Sequence, residues 1–251
     1  MNFIIESISF SFPKKPSSIN QDSMLGPKII SNGILLAAAD GVGSYKGSEK
    51  AAQEAIRYLD QLKFHHDIIN YDIVFNSILD RIKSLSKNER EYEGASTTLT
   101  FCYVVEKGIH IGHIGDCRAY IKRNGRLIQI TKDHTQHQYY LDNKVFTRNQ
   151  LKNVVGKNII TTAISQIVPM QWDCYYIPFS ELELDDNTLS IYIMSDGAYT
   201  HWEYLPRFSD KTMGSVIKTG SALQRRIERK GAIDDYTYVA CKIHIDDSST
   251  T

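Results

Sequence analysis

The sequence predicts an α+β domain in which antiparallel sheets and helices pack in layers. Strand-like runs occur in blocks separated by blocks of helical periodicity, and do not alternate one by one with helices as in a doubly wound parallel sheet. The pair Asn124-Gly125 lies between two strand-like runs and is typical of a tight antiparallel hairpin. The chain has 251 residues, of which 42% are hydrophobic and 23% charged, so it is long enough for one domain with a substantial core.

Short apolar or alternating runs predict the strands. Residues 3–12 alternate enough to form an edge strand, and the four runs between 96 and 130 are expected to form an antiparallel meander. Residues 13–32 contain three prolines and a glycine, so a loop is expected there. The predicted strands are residues 3–12, 34–39, 96–105, 108–115, 117–123, 127–130, 173–178, 189–194 and 236–245.

Helical periodicity predicts three main helices, one starting at Ser48, one over residues 68–87 and one within residues 213–229. Ser48 is the expected N-cap of the first helix, with Glu49 in its first turn. The apolar face of that helix is made of Ala51, Ala52, Ala55, Ile56 and Leu59.

Composition narrows the class of protein. The chain carries 29 basic and 29 acidic residues, so its net charge is zero, which argues against a general nucleic-acid binder and leaves only a local charged patch open. The four cysteines form no CxxC pair, which favours a reduced, cytoplasmic protein without disulfides. No basic leader and no apolar run of about 20 residues occurs, so we expect neither a signal peptide nor a membrane span.

A single domain is expected over residues 1–245, because no repeat and no linker-like composition interrupts the chain. Residues 133–158 are polar with weak periodicity, and we expect a surface excursion there with a helix around 147–155. Residues 246–251 are short and polar and are expected to be a frayed tail. We expect a monomer.

Three short acidic motifs lie next to predicted buried strands. They are Asp40-Gly41, Asp196-Gly197 and Asp234-Asp235. A carboxylate at the end of an apolar strand is costly unless it is compensated, and carboxylate oxygens suit hard divalent cations. The three motifs could therefore converge on one metal site. Each motif alone is better explained as a turn or a solvated loop, since Asp-Gly is a common turn pair, and only their combination favours function.

The other polar candidates have simpler explanations. His113 alternates with apolar residues, which predicts a buried histidine with satisfied hydrogen bonds. Asp116 and Arg118 fall on the same face of an extended chain and are candidates for an ion pair. His134 and His137 lack the carboxylate or cysteine spacing of a zinc site. No GxSxG, HExxH, Walker A or GxGxxG motif occurs.

Taken together, seven ordered motifs resemble those of the type 2C metal-dependent protein phosphatases, the PPM family. The resemblance covers nearly the whole chain, and although any one motif is weak, seven in order are specific. The matching segments are Asn20–Asp22, Ala39–Ala51, Gly94–Thr98, Ile114–Tyr120, Leu127–Thr135, Ser195–Gly197 and Asp234–Thr237.

The resemblance implies a four-layer α-β-β-α sandwich with two central antiparallel sheets. It implies a serine/threonine protein phosphatase that hydrolyses phosphoserine and phosphothreonine with two Mn²⁺ or Mg²⁺ ions. A hydroxide that bridges the two ions would attack phosphorus in line. The implied partners are a phosphorylated protein substrate and a cognate Ser/Thr kinase or its targets.

The resemblance also assigns roles to site residues. Asp22, Asp40, Asp196 and Asp234 would be the catalytic acids. Asp40 would bridge both ions, the Gly41 carbonyl would bind one ion, and Asp196 and Asp234 would bind the other. Asp22 would hold a metal-bound water, and Asp116 could contribute to a third ion.

Some positions depart from the family pattern. Ser17 stands where an arginine often binds the substrate phosphate, and Lys14 and Lys15 lie near enough in sequence to substitute for it. Tyr45 replaces a histidine proposed as a proton donor in some members, and tyrosine is a poorer acid at neutral pH. Thr200 replaces an aspartate that helps to bind a third ion.

Asp235 stands where the family has an asparagine, and its added charge is expected to tighten or disturb the metal cluster. Residues 136–158 correspond to the flap region beside the active site of the family. The departures motivate one alternative, a pseudophosphatase that binds a phosphoprotein or partner without turnover. A third hypothesis keeps the fold but replaces the protein substrate with a phosphorylated small molecule.

Overall fold

The computed structural model describes residues 2–43, 45–151, 159–184 and 186–246. Its strands are β1 (Phe3–Phe12), β2 (Asp22–Ile30), β3 (Gly33–Asp40), β4 (Leu99–Val104), β5 (Gly108–Ile114), β6 (Arg118–Arg123), β7 (Arg126–Gln129), β8 (Asp173–Pro178), β9 (Thr188–Met194) and β10 (Tyr236–His244). They form two five-stranded sheets, with strand orders β1-β10-β9-β6-β7 and β2-β3-β4-β5-β8. All neighbouring strands pair antiparallel.

The helices lie outside the two sheets. They are α1 (Ser48–Gln61), α2 (His65–Ile69), α3 (Tyr71–Asn88), α4 (Gln136–Asp142), α5 (Arg148–Leu151), α6 (Asp196–Tyr204), α7 (Asp210–Met213) and α8 (Val216–Lys230). Within the described ranges, no helix is long and apolar enough to cross a membrane.

Strand β3 explains how the layers pack. Leu35, Ala37 and Ala39 face the cluster under α1 and α3, whereas Leu36 and Ala38 face the cluster between the two sheets. Successive side chains of a strand point to opposite faces, so a strand covered on both faces must be apolar at every position. The continuous apolar run that predicted this strand is therefore the signature of a central layer.

The fourth layer is formed by α6 and α8. Leu223 of α8 and Trp202 of α6 pack with Tyr192 and Tyr238 on the outer face of the first sheet. The architecture is thus helices, sheet, sheet and helices. The predicted α+β class and the four-layer α-β-β-α sandwich are confirmed.

Residues 13–32 are not a loop throughout, contrary to the sequence prediction. Their second half forms β2, an edge strand of the second sheet. The pairing of β2 with β3 shifts register between Leu25 and Lys28, so Gly26 and Pro27 lie in an irregularity of the strand. An edge strand with a bulge tolerates proline because its backbone need not donate at every position. The prolines therefore led to a wrong prediction of a loop where the chain forms an edge strand.

The four strands between residues 96 and 130 do not form one meander, which corrects the sequence prediction. β4 pairs with β5 and β6 pairs with β7, but β5 and β6 belong to different sheets. Gly115 lies at the crossing with a φ of 99°, and a Cβ there would lie 2.3 Å from the Thr98 side chain. Glycine adopts this backbone without penalty and fits this space. The passage from one sheet to the other depends on that residue.

Ser48 is not the N-cap of α1. Gly47 takes the cap position with a φ of 80°, and Ser48 is the first helical residue. The Ser48 hydroxyl donates to the carbonyls of Val42 and Tyr45 at 2.7 and 3.0 Å. The helix begins where the sequence predicts, but the hydroxyl fastens the loop that follows Asp40 instead of capping the helix.

The remaining differences concern two of the predicted helices and the segments that lie outside the described residues. The predicted helix over residues 68–87 is two helices, α2 and α3, and the predicted helix around 147–155 is represented by α5. Residues 152–158 of the predicted excursion and residues 247–251 of the predicted tail lie outside the described residues. The backbone N–H of Asp246 donates to Asn2 Oδ1 at 3.1 Å.

Candidate active site

An acidic cavity of about 240 Å³ lies at one end of the sandwich. It brings together four carboxyl-bearing residues that the sequence predicted from separate motifs, Asp40, Asp116, Asp196 and Asp234. Asp22 is the register partner of Asp40 on the neighbouring strand. The full lining is Gln21, Asp40, Gly41, Val42, Gly43, Asp116, Ile160, Asp196, Asp234 and Asp235.

The strand ends explain this convergence. β3 ends at Asp40, β9 ends two residues before Asp196, and β10 begins two residues after Asp234. Because β9 and β10 are antiparallel neighbours, the last residues of β9 and the first residues of β10 lie at the same end of the two strands. Asp196 is also the first residue of α6, where the helix dipole favours a negative charge.

Asp22 is held in place by a relay of hydrogen bonds. The Ser195 hydroxyl donates to Asp22 Oδ2 at 2.7 Å, and the backbone N–H of Thr237 donates to the Ser195 hydroxyl at 2.9 Å. The other carboxylate oxygen, Oδ1, is buried without a protein partner. The Oδ2 atom of Asp22 is therefore fixed by a hydrogen bond, and the Oδ1 atom can still accept one.

The electrostatics of the cavity are unfavourable for the carboxylates alone. Burial, followed by the neighbouring carboxylates, raises the pKa of Asp40 and of Asp116 well above the ordinary value. Burial raises the pKa of Asp22 to about 7, against a hydrogen bond from Ser195 that lowers it. Burial and Asp234 raise the pKa of Asp196 to about 6. Desolvated like charges of this kind are typical of functional sites.

The residues present fit hard divalent cations. The charged groups among the described lining residues are all carboxylates, and buried Oδ1 atoms of Asp22 and Asp116 lack protein partners in the same part of the chain. Gly41 leaves no room for a side chain, since a Cβ would lie 2.6 Å from the Ser48 carbonyl oxygen. Among the described residues, no three ligand side chains already enclose a single point. Mg²⁺-type sites keep several waters and take only one or two carboxylates.

Asp235 has a structural function that the sequence did not reveal. Its Oδ1 accepts the backbone N–H of Lys14 and its Oδ2 accepts that of Gln21, both at 2.7 Å. Each oxygen thus holds one end of the loop that leads into Asp22. The added charge, predicted to tighten or disturb a metal cluster, serves here as a two-point acceptor, which a carboxamide oxygen cannot reproduce.

Arg118 does not pair with Asp116, contrary to the ion pair considered from the sequence. Its Nε and Nη2 donate to Asp133 at 2.8 and 2.6 Å, and its Nη1 pairs with Glu203. The guanidinium lies 3.7 Å above the Tyr199 ring. Arg118 still acts on the cavity through its charge, since it lowers the pKa of Asp116 against the effect of burial.

The prediction for His113 is confirmed. It is fully buried, its Nδ1 lies 2.8 Å from the Thr100 hydroxyl, and its Nε2 lies 2.9 Å from the Lys132 carbonyl oxygen. Burial and the neighbouring His134 lower its pKa to about 4, so the ring is neutral near pH 7. His113 therefore connects the strands beneath the cavity and carries no charge there.

Of the residues that depart from the family pattern, Asp235 lines the cavity, whereas Ser17, Tyr45 and Thr200 are not among its described lining residues. Lys14, Lys15 and Ser17 are exposed on the loop before β2. The Tyr45 ring packs against Gly94, and Thr200 is exposed on α6. Phosphate binding by either lysine stays a prediction.

The fold is shared with solved bacterial enzymes. The serine/threonine phosphatase Stp1 from Staphylococcus aureus superposes with a TM-score of 0.77 at 21% identity, covering 95% of this chain and 95% of that chain. The catalytic domain of the serine/threonine phosphatase PstP, in complex with two manganese ions, superposes with a TM-score of 0.73 at 24% identity, covering 98% of this chain and 100% of that chain. The architecture is therefore that of bacterial serine/threonine phosphatase domains.

Sequence comparison gives the family. The model for protein phosphatase 2C matches residues 15–228, so this chain belongs to the protein phosphatase 2C family. PstP of Mycobacterium tuberculosis (strain ATCC 25618 / H37Rv), a serine/threonine protein phosphatase, is 31% identical over 150 residues, which cover 58% of this chain and 28% of PstP. The serine/threonine phosphatase stp of Listeria welshimeri is 24% identical over 174 residues, covering 66% of this chain and 67% of that relative. The chain thus matches little more than a quarter of the length of PstP.

Proposed function

We propose that this chain is a serine/threonine protein phosphatase that hydrolyses phosphoserine and phosphothreonine with two divalent ions, Mn²⁺ or Mg²⁺. The observation that carries the proposal is the convergence of Asp40, Asp116, Asp196 and Asp234 in one cavity, with no basic residue among the described residues that line it. Such a cavity would repel a phosphate dianion unless cations neutralised it. The two manganese ions in the PstP catalytic domain support the same number of ions.

The assignment of residues is the one that the family resemblance implies. Asp40, the Gly41 carbonyl, Asp196 and Asp234 would hold the two ions, and their place in one cavity supports this assignment. When bound, the ions supply Lewis-acid activation of water and neutralise charge on the phosphoryl group. Asp116 is the candidate ligand for a third ion.

Asp22 positions water in this proposal. The Ser195 hydroxyl donates to Asp22 Oδ2 and fixes the carboxylate. The Oδ1 atom therefore keeps one orientation and can accept a hydrogen bond from water. A carboxylate fixed in this way orients a water without a large cost of reorganisation at the moment of reaction. Lys14 and Lys15 are proposed to meet the substrate phosphate from the loop that Asp235 holds.

The proposed substrate is a phosphorylated protein, and the proposed counterpart is a Ser/Thr kinase that acts on the same targets. Free cysteines at Cys102, Cys117, Cys174 and Cys241 support a reducing compartment, so we place the protein in the cytoplasm. A pseudophosphatase is not favoured, because the acids that catalysis needs are present around one cavity.

The decisive experiment measures phosphate release from a phosphothreonine peptide with Mn²⁺, with Mg²⁺ and with excess chelator. Release is expected with either ion and none with chelator. Asp196→Asn is expected to lower turnover at least about 100-fold, whereas Asp72→Asn, an exposed acid on α3, is the matched control and should leave it unchanged. Equal activity of Asp196→Asn and wild type would refute the proposal.

The same assay with a panel of small phosphoesters distinguishes a protein substrate from a phosphorylated small molecule. Faster release from phosphopeptides supports the protein substrate, and release only from small phosphoesters contradicts it. Metal binding by calorimetry without turnover on any member of the panel would instead indicate a binding protein.

A further inference from the structure

A second cavity, of about 810 Å³, lies between the end of α6 and the last turns of α8. We call it the arginine groove. Its lining is Leu205, Arg207, Phe208, Ala222, Arg225, Arg226, Glu228 and Arg229. Half of these residues are arginines, although the whole chain has no net charge. The positive charge is therefore concentrated locally.

The exposed arginines of the groove form no ion pair within the part of the chain that the structure describes. These arginines are Arg207, Arg225 and Arg229. Glu228 is the single acid of the lining. Burial, followed by the charge of Arg229, lowers the pKa of Arg226. Three guanidinium groups are thus available to an anionic partner.

The wall of the arginine groove is rigid. Arg226 is buried and donates to the carbonyls of His201, Leu205 and Arg207 at 3.2, 2.7 and 3.1 Å. Its guanidinium lies 4.1 Å above the Phe208 ring. These bonds tie α8 to the chain that follows α6. The groove is therefore preformed, which lowers the entropic cost of binding.

The arginine groove is connected to the acidic cavity by two short pieces of chain. α6 begins at Asp196 in the cavity, and Leu205 follows nine residues later, which is about 13 Å along a helix. On the other side, four residues lead from Lys230 at the end of α8 to Asp234, a span of at most about 14 Å. The nearest residues of the groove and of the cavity therefore lie within about 14 Å of each other, which is the length of about four extended residues.

We propose that the arginine groove binds an acidic segment of the protein substrate, outside the residue that is dephosphorylated. That this segment belongs to a substrate rests on the proposed phosphatase function. Guanidinium groups bind carboxylates through two parallel hydrogen bonds, so aspartate and glutamate side chains complement the three exposed arginines. The apolar surface of Leu205, Phe208 and Ala222 lies among these charges and suits the carbon atoms of a peptide.

A peptide fits the groove better than a nucleic acid does. A nucleic-acid surface is a basic stripe that tracks many phosphates, commonly on a domain with a large net positive charge. This chain is neutral overall, and its basic cluster is one short groove with an apolar floor. An oligonucleotide therefore serves as the competing ligand in the test.

The binding test needs no catalysis. Fluorescence anisotropy measures the affinity for a labelled, unphosphorylated Glu/Asp-rich peptide, for its Gln/Asn counterpart and for a single-stranded oligonucleotide of equal charge. The wild type is expected to bind the acidic peptide at least about tenfold more tightly than the other two, and less tightly at high salt. The variant Arg207→Glu/Arg225→Glu/Arg229→Glu should lose this preference.

A matched control keeps the test specific. Lys63→Glu/Lys87→Glu/Arg90→Glu reverses three exposed charges outside the groove and should bind like the wild type. The neutral variant Arg207→Gln/Arg225→Gln/Arg229→Gln should lose most of the affinity as well. A thermal melt checks that each variant is folded. Equal binding by wild type and groove variants, or a preference for the oligonucleotide, would overturn the proposal.

The kinetic test links the groove to the substrate. A phosphopeptide with an acidic extension should show a KM about tenfold higher with the groove variants, at similar kcat. A small phosphoester should be turned over unchanged, because it does not reach the groove. A KM that does not change would overturn the docking role. Absence of turnover in the wild type would refute the phosphatase function while the anisotropy result still decides the groove.

Discussion

Asp22 and Asp40 lie directly opposite each other on the neighbouring antiparallel strands β2 and β3. Like charges opposite each other on a sheet destabilise the pairing, and burial raises the pKa of both side chains. The surrounding sandwich holds the two strands together against this repulsion. The metal-free protein therefore contains an electrostatic strain that a bound cation would relieve.

Asp40→Asn should make the metal-free protein more stable and abolish catalysis. The substitution removes a buried carboxyl that is costly to ionise opposite Asp22, so at a pH high enough to ionise both groups we expect a gain of about 1 kcal/mol in the free energy of unfolding in chelator. Mn²⁺ should raise the melting temperature of the wild type and have little effect on the variant. Urea unfolding and thermal melts measure both effects, with Asp72→Asn as the control. A variant less stable than the wild type in chelator would contradict the repulsion.

The stability of the metal-free protein should fall as pH rises from about 4 toward 7. The pKa values of Asp22 and Asp196 are raised from 3.8 to about 7 and about 6, first by burial. In this window the folded state binds more protons than the unfolded state, so raising the pH favours unfolding. Urea unfolding at several pH values in chelator measures the slope.

Asp22→Asn is the matched variant for this slope, since it removes one of the titrating groups. Its stability should fall less between pH 5 and pH 7 than that of the wild type. Identical slopes in the two proteins would show that Asp22 does not titrate in this window.

Asp235→Asn should loosen the loop before β2. The carboxylate accepts the N–H groups of Lys14 and Gln21 on separate oxygens, and the carboxamide keeps one acceptor oxygen. We expect a loss of about 1.5–3 kcal/mol in the free energy of unfolding, as for a hydrogen bond to a charged group. Hydrogen exchange should accelerate at one of these two amides. The N–H of Thr237, which donates to Ser195, is the internal control and should exchange as before.

Gly197→Ala should destabilise the site through packing. A Cβ at Gly197 would lie 2.0 Å from the carbonyl oxygen of Asp235, so the chain beside Asp234 must shift. We expect a loss of about 1–3 kcal/mol, the usual range for overpacking, together with loss of turnover. Gly214→Ala is the control, because its Cβ would lie 3.3 Å from the Asp210 carbonyl oxygen. Thermal melts of similar midpoint for the two variants would contradict this explanation.

The family resemblance identifies most of the cavity residues from the sequence alone. Asp40, Asp196 and Asp234 belong to motifs that are recognisable from neighbouring residues alone, and the structure places them at one cavity. The helix α1 and the strands β3, β8 and β9 were predicted within a few residues because their periodicity or apolar run is local.

Strand β2 and the crossing at Gly115 were predicted wrongly for opposite reasons. Proline in β2 suggested a loop, but the edge of a sheet tolerates it at a bulge. The run of strand signals around Gly115 suggested one continuous meander, because nothing local indicates which sheet each strand joins. Sheet membership is a property of long-range pairing.

The sequence by itself determined the strand and helix signals and the acidic motifs, since each depends on residues a few positions apart. Only the tertiary structure decided what those residues touch. The bond from the Lys14 N–H to Asp235 joins residues 221 positions apart, and the bonds from Arg226 that form the wall of the arginine groove join α8 to chain 19 to 25 positions away. Such contacts arise from the packing of layers, which composition and periodicity do not encode at single positions.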